Sequence, residues 1–328
     1  MKWVSPQRLK RLGVLGMNAR NVSYISRYNE RRLYPLVDNK LETKLLAEEH
    51  KVAVPALLHT IRTQREVEAV YSRLRVLDNF VVKPAHGSGG KGILVITGRN
   101  ENGLIRSNGE ELSWSGLKRH MANVVSGLYS LGGRTDQAIV EELVLIDPIF
   151  ESVSYEGVPD IRLIVFHGYP VMGMLRLATR ASDGKANLHQ GAVGVGLDIS
   201  NGSSISAVQH NQLIKEHPDT GEALVGLQVP NWELLLHLAA SCYSMTGLGY
   251  LGADIVLDRN RGPLLLELNA RPGLTIQVTN QTGIKPRLEH IEALPSFHPT
   301  IEERVEYAVE QFAHRSISNQ ADFWQESE

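Results

Sequence analysis

Residues 249–274, GYLGADIVLDRNRGPLLLELNARPGL, set oxygen donors into runs that otherwise read as core strands. GADIVLD and GPLLLELN are apolar runs joined by the polar turn DRNRG, the pattern of an antiparallel pair with one face in a core. Asp254 interrupts the first run, and Glu267 and Asn269 the second. Glu267 and Asn269 are two apart and so share a face, and a hairpin partner can bring Asp254 onto it. Two carboxylates and an amide oxygen form a hard cage of the kind Mg²⁺ takes when it also holds phosphate oxygens and water. Alone, Asp254 or Glu267 reads as a solvated strand residue; together, with Arg271 following in NARPG, they read as a metal site.

Three further groups could do chemistry. FVVKPAHGSGGKGILVI puts Lys83 at the end of one apolar run and a loop, His86, Gly87, Ser88, Gly89, Gly90, Lys91 and Gly92, before the next. Such a loop can turn successive backbone N–H groups onto phosphates, or simply close a hairpin. It is not a Walker loop, because the GxxxxGK[ST] spacing fails. In VEELV, Glu141, Glu142 and Leu143 end a strand that could offer backbone groups to adenine and a carboxylate to ribose, or be an exposed strand end. In DIRL and MLRLATR, Asp160 and Arg162 share one strand face, with Arg176 and Arg180 on the next strand. Arginines on apolar strands need an anionic partner, either a bound carboxylate or phosphate or an ion pair within the sheet. Asn187 and His189 add polar groups in the glycine-rich KANLHQGAVGVG; His189 reads as a base or as a hydrogen-bonding loop histidine.

The elements that must position these groups follow from periodicity. A helix opens at residues 38–40 with Asp38 as its N-cap, and Val52–Leu58 reads as a strand around Pro55. Residues 66–77 are an amphipathic helix, 80–84 and 93–97 are strands, 112–130 are helical and 138–144 a strand. A hairpin turns at Gly168, residues 181–203 form a long loop, and helices 231–246 and 300–313 flank the metal hairpin. With 328 residues and a net charge of −2, nothing global suggests a nucleic-acid partner. The one cysteine, Cys242, lies in an apolar run and reads as a buried small hydrophobe in a reducing compartment. No signal peptide or membrane span is evident, so the expected location is the cytoplasm. Residues 1–37 are basic: Lys2, Arg8, Lys10, Arg11, Arg20, Arg27, Arg31 and Arg32 stand against Glu30, with Tyr24, Tyr28 and Tyr34 interleaved. They read as a solvated helical arm or as a docking surface for an acidic partner, a membrane face or a polyanion.

In that order, the lysine helix, lysine strand with glycine loop, acidic hinge, arginine hairpin and D…ExN hairpin resemble the ATP-grasp superfamily. DIRLIVFHGYPVMGMLRLATRASDGKANLHQGA and GADIVLDRNRGPLLLELNARPGL are similar to RimK-type α-L-glutamate ligases. The resemblance implies an α+β (α/β) fold, with two α+β lobes, 38–140 and 141–328, holding ATP between antiparallel sheets. Only 39 residues precede Lys40, so the pre-ATP-grasp domain of RimK-type ligases is expected to be short or missing. It further implies that Lys40, Lys83 and the 86–92 loop meet ATP phosphates. Glu141, Glu142 and Leu143 would meet adenine, and Asp160 would lie near the ribose. Arg162, Arg176 and Arg271 would stabilise transferred phosphate, and Arg180, Asn187 and His189 would line the substrate region. Asp254, Glu267 and Asn269 would hold Mg²⁺, usually two ions, with Mn²⁺ a substitute. The implied activity is ADP-forming carboxylate–amine ligation on glutamate, another amino acid or a peptide. The rival is a regulatory or partner-dependent ATP-binding protein. A protein partner at the basic segment and a homo-oligomer are both compatible with the sequence.

Overall fold

Two antiparallel sheets carry the chain in the computed structural model, which describes residues 5–87, 89–101 and 103–314. The first contains β1 (Leu57–Ile61), β2 (Phe80–Pro84), β3 (Leu94–Asn100), β4 (Gly103–Arg106), β5 (Glu111–Leu112) and β6 (Ala138–Glu141), in the order β1-β6-β2-β3-β4-β5. The second contains β7 (Asp160–Phe166), β8 (Tyr169–Leu177), β9 (Val193–Leu197), β10 (Ser204–Gln209), β11 (Gln212–Ile214), β12 (Tyr250–Asp258) and β13 (Gly262–Asn269). Its order is β11-β10-β9-β8-β7-β12-β13.

Alternation fixes which face does what. Phe80 and Val82 of β2, with Ala138 and Val140 of β6, join Val67, Val70, Leu117 and Met121 in one core. Those last four come from the helices Gln64–Leu74 and Trp114–Val125, which cover that face. Lys83 and Glu141 are out of phase with this set and so lie on the other face. In the second sheet β12 is buried along its whole length, and the apolar helix Trp232–Thr246 packs on β7, β8, β12 and β13. Cys242 is fully buried there, and burial pushes its thiol up to about 12, so it packs as an inert small hydrophobe.

Several sequence expectations are corrected. The cap of helix Lys40–Glu49 is Asn39, not Asp38: its side chain accepts from the Leu41 and Glu42 amides at 3.0 and 3.4 Å. The strand expected over 52–58 begins only at Leu57, since Pro55 has no N–H for a ladder. The segment before it bonds to both sheets instead: Ala53 O accepts from Leu265 N at 2.8 Å and Ala56 O from Glu142 N at 3.0 Å. The helix expected over 112–130 is Trp114–Val125, capped by Ser113, and the strand expected over 138–144 stops at Glu141. The loop expected over 181–203 contains β9. Its glycines are there because the chain at Thr279 presses on the strand: a methyl on Gly196 would lie 2.2 Å from Thr279 O.

The N-terminal segment is not a solvated arm. Leu15, Tyr24 and Ile25 are buried in the core of the second sheet, and Tyr24 and Tyr28 meet the Phe166 ring edge-on at 5.7 and 5.1 Å. Arg20 donates to Pro272 O at 2.6 Å, whereas Arg27 and Arg32 stay on the surface. Buried Asn29 acts as one more rung beside β12, donating to Tyr250 O at 2.7 Å and accepting from Tyr250 N at 2.9 Å. Asn29→Ala strips both β12 groups of their partner and should cost about 2–4 kcal/mol of stability in urea unfolding. A loss below about 0.5 kcal/mol, the range of surface changes, would show that the segment merely rests on the sheet.

Candidate active site

Strand register brings the charged residues of the second sheet into one row. Arg176 lies opposite Asp160, Arg162 opposite Asp254, and Asp254 opposite Glu267, across β8, β7, β12 and β13. Residues directly opposite share a face, so all five project together. A bulge makes this possible: Asp254 pairs with Glu267 but Ile255 with Leu265, which leaves Leu266 as an extra residue. Such a bulge re-aims the side chains beside it.

Asp254 is the most heavily engaged group. Arg162 donates from Nε to Oδ1 at 2.6 Å and from Nη2 to Oδ2 at 2.5 Å. Arg176 Nη2 lies 2.8 Å from Oδ2, and Asn269 Nδ2 donates to the same oxygen at 3.2 Å. Burial alone would raise the Asp254 carboxyl, but Arg162 and Arg176 outweigh it and hold it well below the usual carboxylate range. Arg176 also clamps Asp160 with two bonds, Nη2 to Oδ2 at 2.7 Å being one. Burial pushes Asp160 up to about 6 against the pull of Arg176, with the Asp254 charge adding to the rise. Two arginines and two aspartates make a neutral set, which lets the row sit nearly dry.

A second cluster stands on the first sheet. Lys83 Nζ lies 2.6 Å from Glu141 Oε2, and Lys44 Nζ 2.9 Å from Oε1. Lys44 also donates to Pro55 O. Burial raises the Glu141 carboxyl, but Lys83 and Lys44 more than reverse this. The cluster carries two cations to one anion. Lys44 escaped the sequence reading, although it follows Lys40 by four residues and so shares its helix face.

Lys40 joins the two halves. Its Nζ donates to Gly87 O at 2.7 Å and lies 3.3 Å from Glu267 Oε2. The glycine loop is rooted by Asp136, which accepts from the His86 amide at 3.1 Å, meets His86 Nδ1 at 2.7 Å and accepts from Ser130. No pattern in the sequence marked Asp136. Gly89, Gly90 and Gly92 take φ of +62, +76 and +77°, conformations that favour glycine. Methyls on Gly89 and Gly90 would come to 4.0 Å from Asn187 Nδ2 and 3.8 Å from Lys185 Cδ, so the loop reaches the 183–191 segment. Lys91 is exposed, and Ser88 lies outside the described residues.

The remaining expected residues are more scattered. Arg180 is exposed, with its guanidinium 5.3 Å from the Tyr155 ring centre and its amide on Asp219. Asn187 accepts from the His189 amide at 3.0 Å, and His189 is exposed. Arg271 is exposed, 5.5 Å from the Tyr34 ring centre. Glu142 pairs with Arg261 at 2.9 Å and Leu143 is half-buried.

The profile of the family described as sugar-transfer-associated ATP-grasp matches residues 19–293. The chain belongs to that family. It has the ATP-grasp fold, an α+β arrangement of two antiparallel sheets with helices. No curated protein matches the sequence. Among solved structures, the ATP-grasp ligase PsnB with precursor peptide PsnA2 and AMPPNP is 14% identical, with a TM-score of 0.45 over 85% of this chain and 62% of that one. This chain therefore spans less than two thirds of PsnB. D-cycloserine synthetase DcsG is 15% identical, with a TM-score of 0.45 over 84% and 78% of the two chains. The D-alanine-D-alanine ligase from Coxiella burnetii is 14% identical, with a TM-score of 0.41 over 85% and 59%. Similarity this weak leaves the family match as the ground for the assignment. Among the described residues no helix is long and apolar enough to cross a membrane.

Among those residues, too, no three His, Cys, Asp or Glu side chains gather as a ready metal site. The expected set has only two carboxylates, completed by an amide. It suits a hard cation shared with phosphate: Asp254 is held anionic, Glu267 is partly exposed with one oxygen on Lys40, and Asn269 donates its amide N–H, leaving its carbonyl oxygen. Arg162 and Arg176 supply positive charge beside Asp254.

Proposed function

We propose that the protein is an ATP- and Mg²⁺-dependent carboxylate–amine ligase, acting on glutamate, another amino acid or a peptide. The observation that carries this reading is the charge row on β8, β7, β12 and β13, joined through Lys40 to the glycine loop. Residues 38–140 and 141–328 would act as its two lobes, with 315–328 lying outside the described residues. Asp254, Glu267 and Asn269 would hold Mg²⁺, which when bound supplies positive charge to the ATP phosphates.

The task of the other residues follows from charge. A carboxylate attacking the γ-phosphate of ATP brings two anions together, so cations must offset the repulsion and the charge that spreads in transfer. Arg162 and Arg176 would serve this, because the carboxylates that hold them can pass to other cations. Arg271, exposed beside the same hairpin, is offered to the departing anion. The substrate oxygen forms the new O–P bond, ADP leaves, and an amine displaces inorganic phosphate from the acyl phosphate to give an amide. Lys83, held by Glu141, and Lys40 bind phosphates. The backbone of Glu142 and Leu143 would serve adenine, apart from the Glu142 amide, which already serves Ala56 O. The loop over 86–92, reaching Asn187, keeps water from the acyl phosphate. Arg180 and His189 would stand toward the substrate.

The deciding experiment is phosphate release from ATP and Mg²⁺ across amino acids, dipeptides and glutamate-ending peptides, with product masses. Release that requires both a carboxylate and an amine, with the product lighter than their sum by one water, is the expected result. Phosphate release indifferent to amine would turn the reading to a phosphotransferase. ATP binding with no turnover on any pair would favour the partner-dependent reading, which the arginine clamp on Asp254 supports. Lys83→Ala should weaken ATP binding about 10- to 100-fold in calorimetry, the worth of one charged hydrogen bond. Unchanged affinity would remove Lys83 from the site.

A further inference from the structure

The first sheet has a second recess, on the face away from Lys83 and Glu141. Leu94 of β3 belongs to the core under the Gln64–Leu74 and Trp114–Val125 helices, and a cavity of about 390 Å³ opens beside it. Its polar lining is Arg106, Arg119, His120, Asn123 and Tyr129, with no carboxylate among the lining residues. Ile93, Leu94 and Leu112 supply an apolar wall. Arg106 reaches Glu110 at 2.6 Å, but both are well exposed, so that pair holds it weakly. Arg119 is exposed and has no ion pair among the described residues.

His120 gives the recess an acceptor. Its Nε2 lies 3.0 Å from Gly92 O, which can only accept, so Nε2 carries the proton. Burial lowers the His120 pKa, with Arg106 adding to the fall, so the ring is neutral at pH 7 and Nδ1 is free to accept. The Asn123 amide adds a donor and an acceptor. One guanidinium without an ion pair among the described residues, a second held only by an exposed glutamate, a neutral imidazole, an amide and an apolar wall suit a ligand with one anionic end and a hydroxylated body. The volume is at the small end of ligand pockets, which limits that body to about one sugar ring.

We propose that this recess binds a small organic anion, a phosphate or carboxylate on a body of monosaccharide size, through Arg106 and Arg119. The ligand would also touch the root of the glycine loop. His120 holds Gly92 O, and a methyl on Gly92 would lie 2.6 Å from the Tyr129 ring. Two residues of the recess therefore grip the point where the loop rejoins β3.

The test is calorimetry on the full chain with AMPPNP and Mg²⁺ in excess, so that the proposed ATP site is filled. The probes are glucose 6-phosphate, glucuronate and neutral glucose. Saturable one-to-one binding of either acid, at least about tenfold tighter than glucose, is expected, and whichever acid binds better names the anionic group. Arg119→Gln, at an exposed position, should weaken it about tenfold or more, while Lys83→Ala should leave it unchanged. No saturable binding of either acid below about 10 mM would overturn the proposal. So would binding that survives Arg119→Gln or disappears with Lys83→Ala. None of these readings needs turnover, so the result stands apart from the ligase reading.

Discussion

Asp254→Asn and Glu267→Gln should both abolish turnover, yet only the first should lower stability substantially. Asp254 sits fully buried between Arg162 and Arg176. Asparagine leaves those guanidiniums, about 12% exposed, with one carboxylate between them, that of Asp160. Removing one member of such a buried set costs about 3–5 kcal/mol, because the charges left behind stay desolvated. Glu267 is 36% exposed, and its one ion pair among the described residues is with Lys40, so glutamine there should change stability by less than about 1 kcal/mol. Urea unfolding and phosphate release on the same preparations separate the two. If Glu267→Gln unfolds as far as it loses activity, its role is structural. The pH dependence has a definite sign. A carboxylate depressed in the folded state stabilises above its unfolded value, near 3.9, and that contribution is lost only as pH falls through the depressed value. The Asp254 contribution should therefore hold from pH 8 to pH 5, and no mild acid treatment should mimic the asparagine variant.

What the sequence could show of this site, and what it could not, divides by range. Asp254, Glu267 and Asn269 were legible because a polar side chain in an apolar run is costly unless it has a task, and strand periodicity gives its face. Asp160 and Arg162 were legible on the same ground. Which arginine met which aspartate was not, since it depends on the register of four strands and on a bulge at Leu266 that leaves no local mark. Of the two readings of the arginines, the structure shows the intra-sheet one: Arg162 and Arg176 pair with Asp160 and Asp254, beside Glu267 and Asn269. Residues 5–37 failed for a related reason. Seven basic residues there suggested solvent, but burial rests on Leu15, Tyr24, Ile25 and Asn29, whose partners lie far along the chain: Gln277 for Leu15, Phe166 for Tyr24 and Tyr250 for Asn29. β9 was missed because its glycines, needed for the close approach of Thr279, look like loop composition.

Glu141→Gln is the second change with a large expected effect, and its signature is a pH dependence opposite in sign to that of a lost carboxylate pair. Glu141 is the anion between Lys44 and Lys83, with side-chain exposures of 4% and 8% for the two lysines. With glutamine in its place, two ammonium groups remain buried without a counter-charge, at a cost of about 3–5 kcal/mol. Burial already pulls Lys44 below the ordinary lysine range, while Glu141 opposes the fall. Without Glu141 the fall deepens. A base whose folded value is depressed binds fewer protons folded than unfolded, so stability rises with pH between the two values. The variant should then recover part of its loss between pH 7 and pH 9.5, while the wild type gains less. Lys44→Met adds an independent check. Alone it should cost about 1–2 kcal/mol, because it loses the bond to Pro55 O but leaves Lys83 and Glu141 as a balanced pair. Combined with Glu141→Gln it should cost less than the sum of the two by about 1–3 kcal/mol, since it removes one of the stranded charges. Additivity within about 0.5 kcal/mol would mean that the three residues do not act as a unit. Coupling of the expected sign would show that Lys44, Lys83 and Glu141 act as one unit, with one more cation than anion.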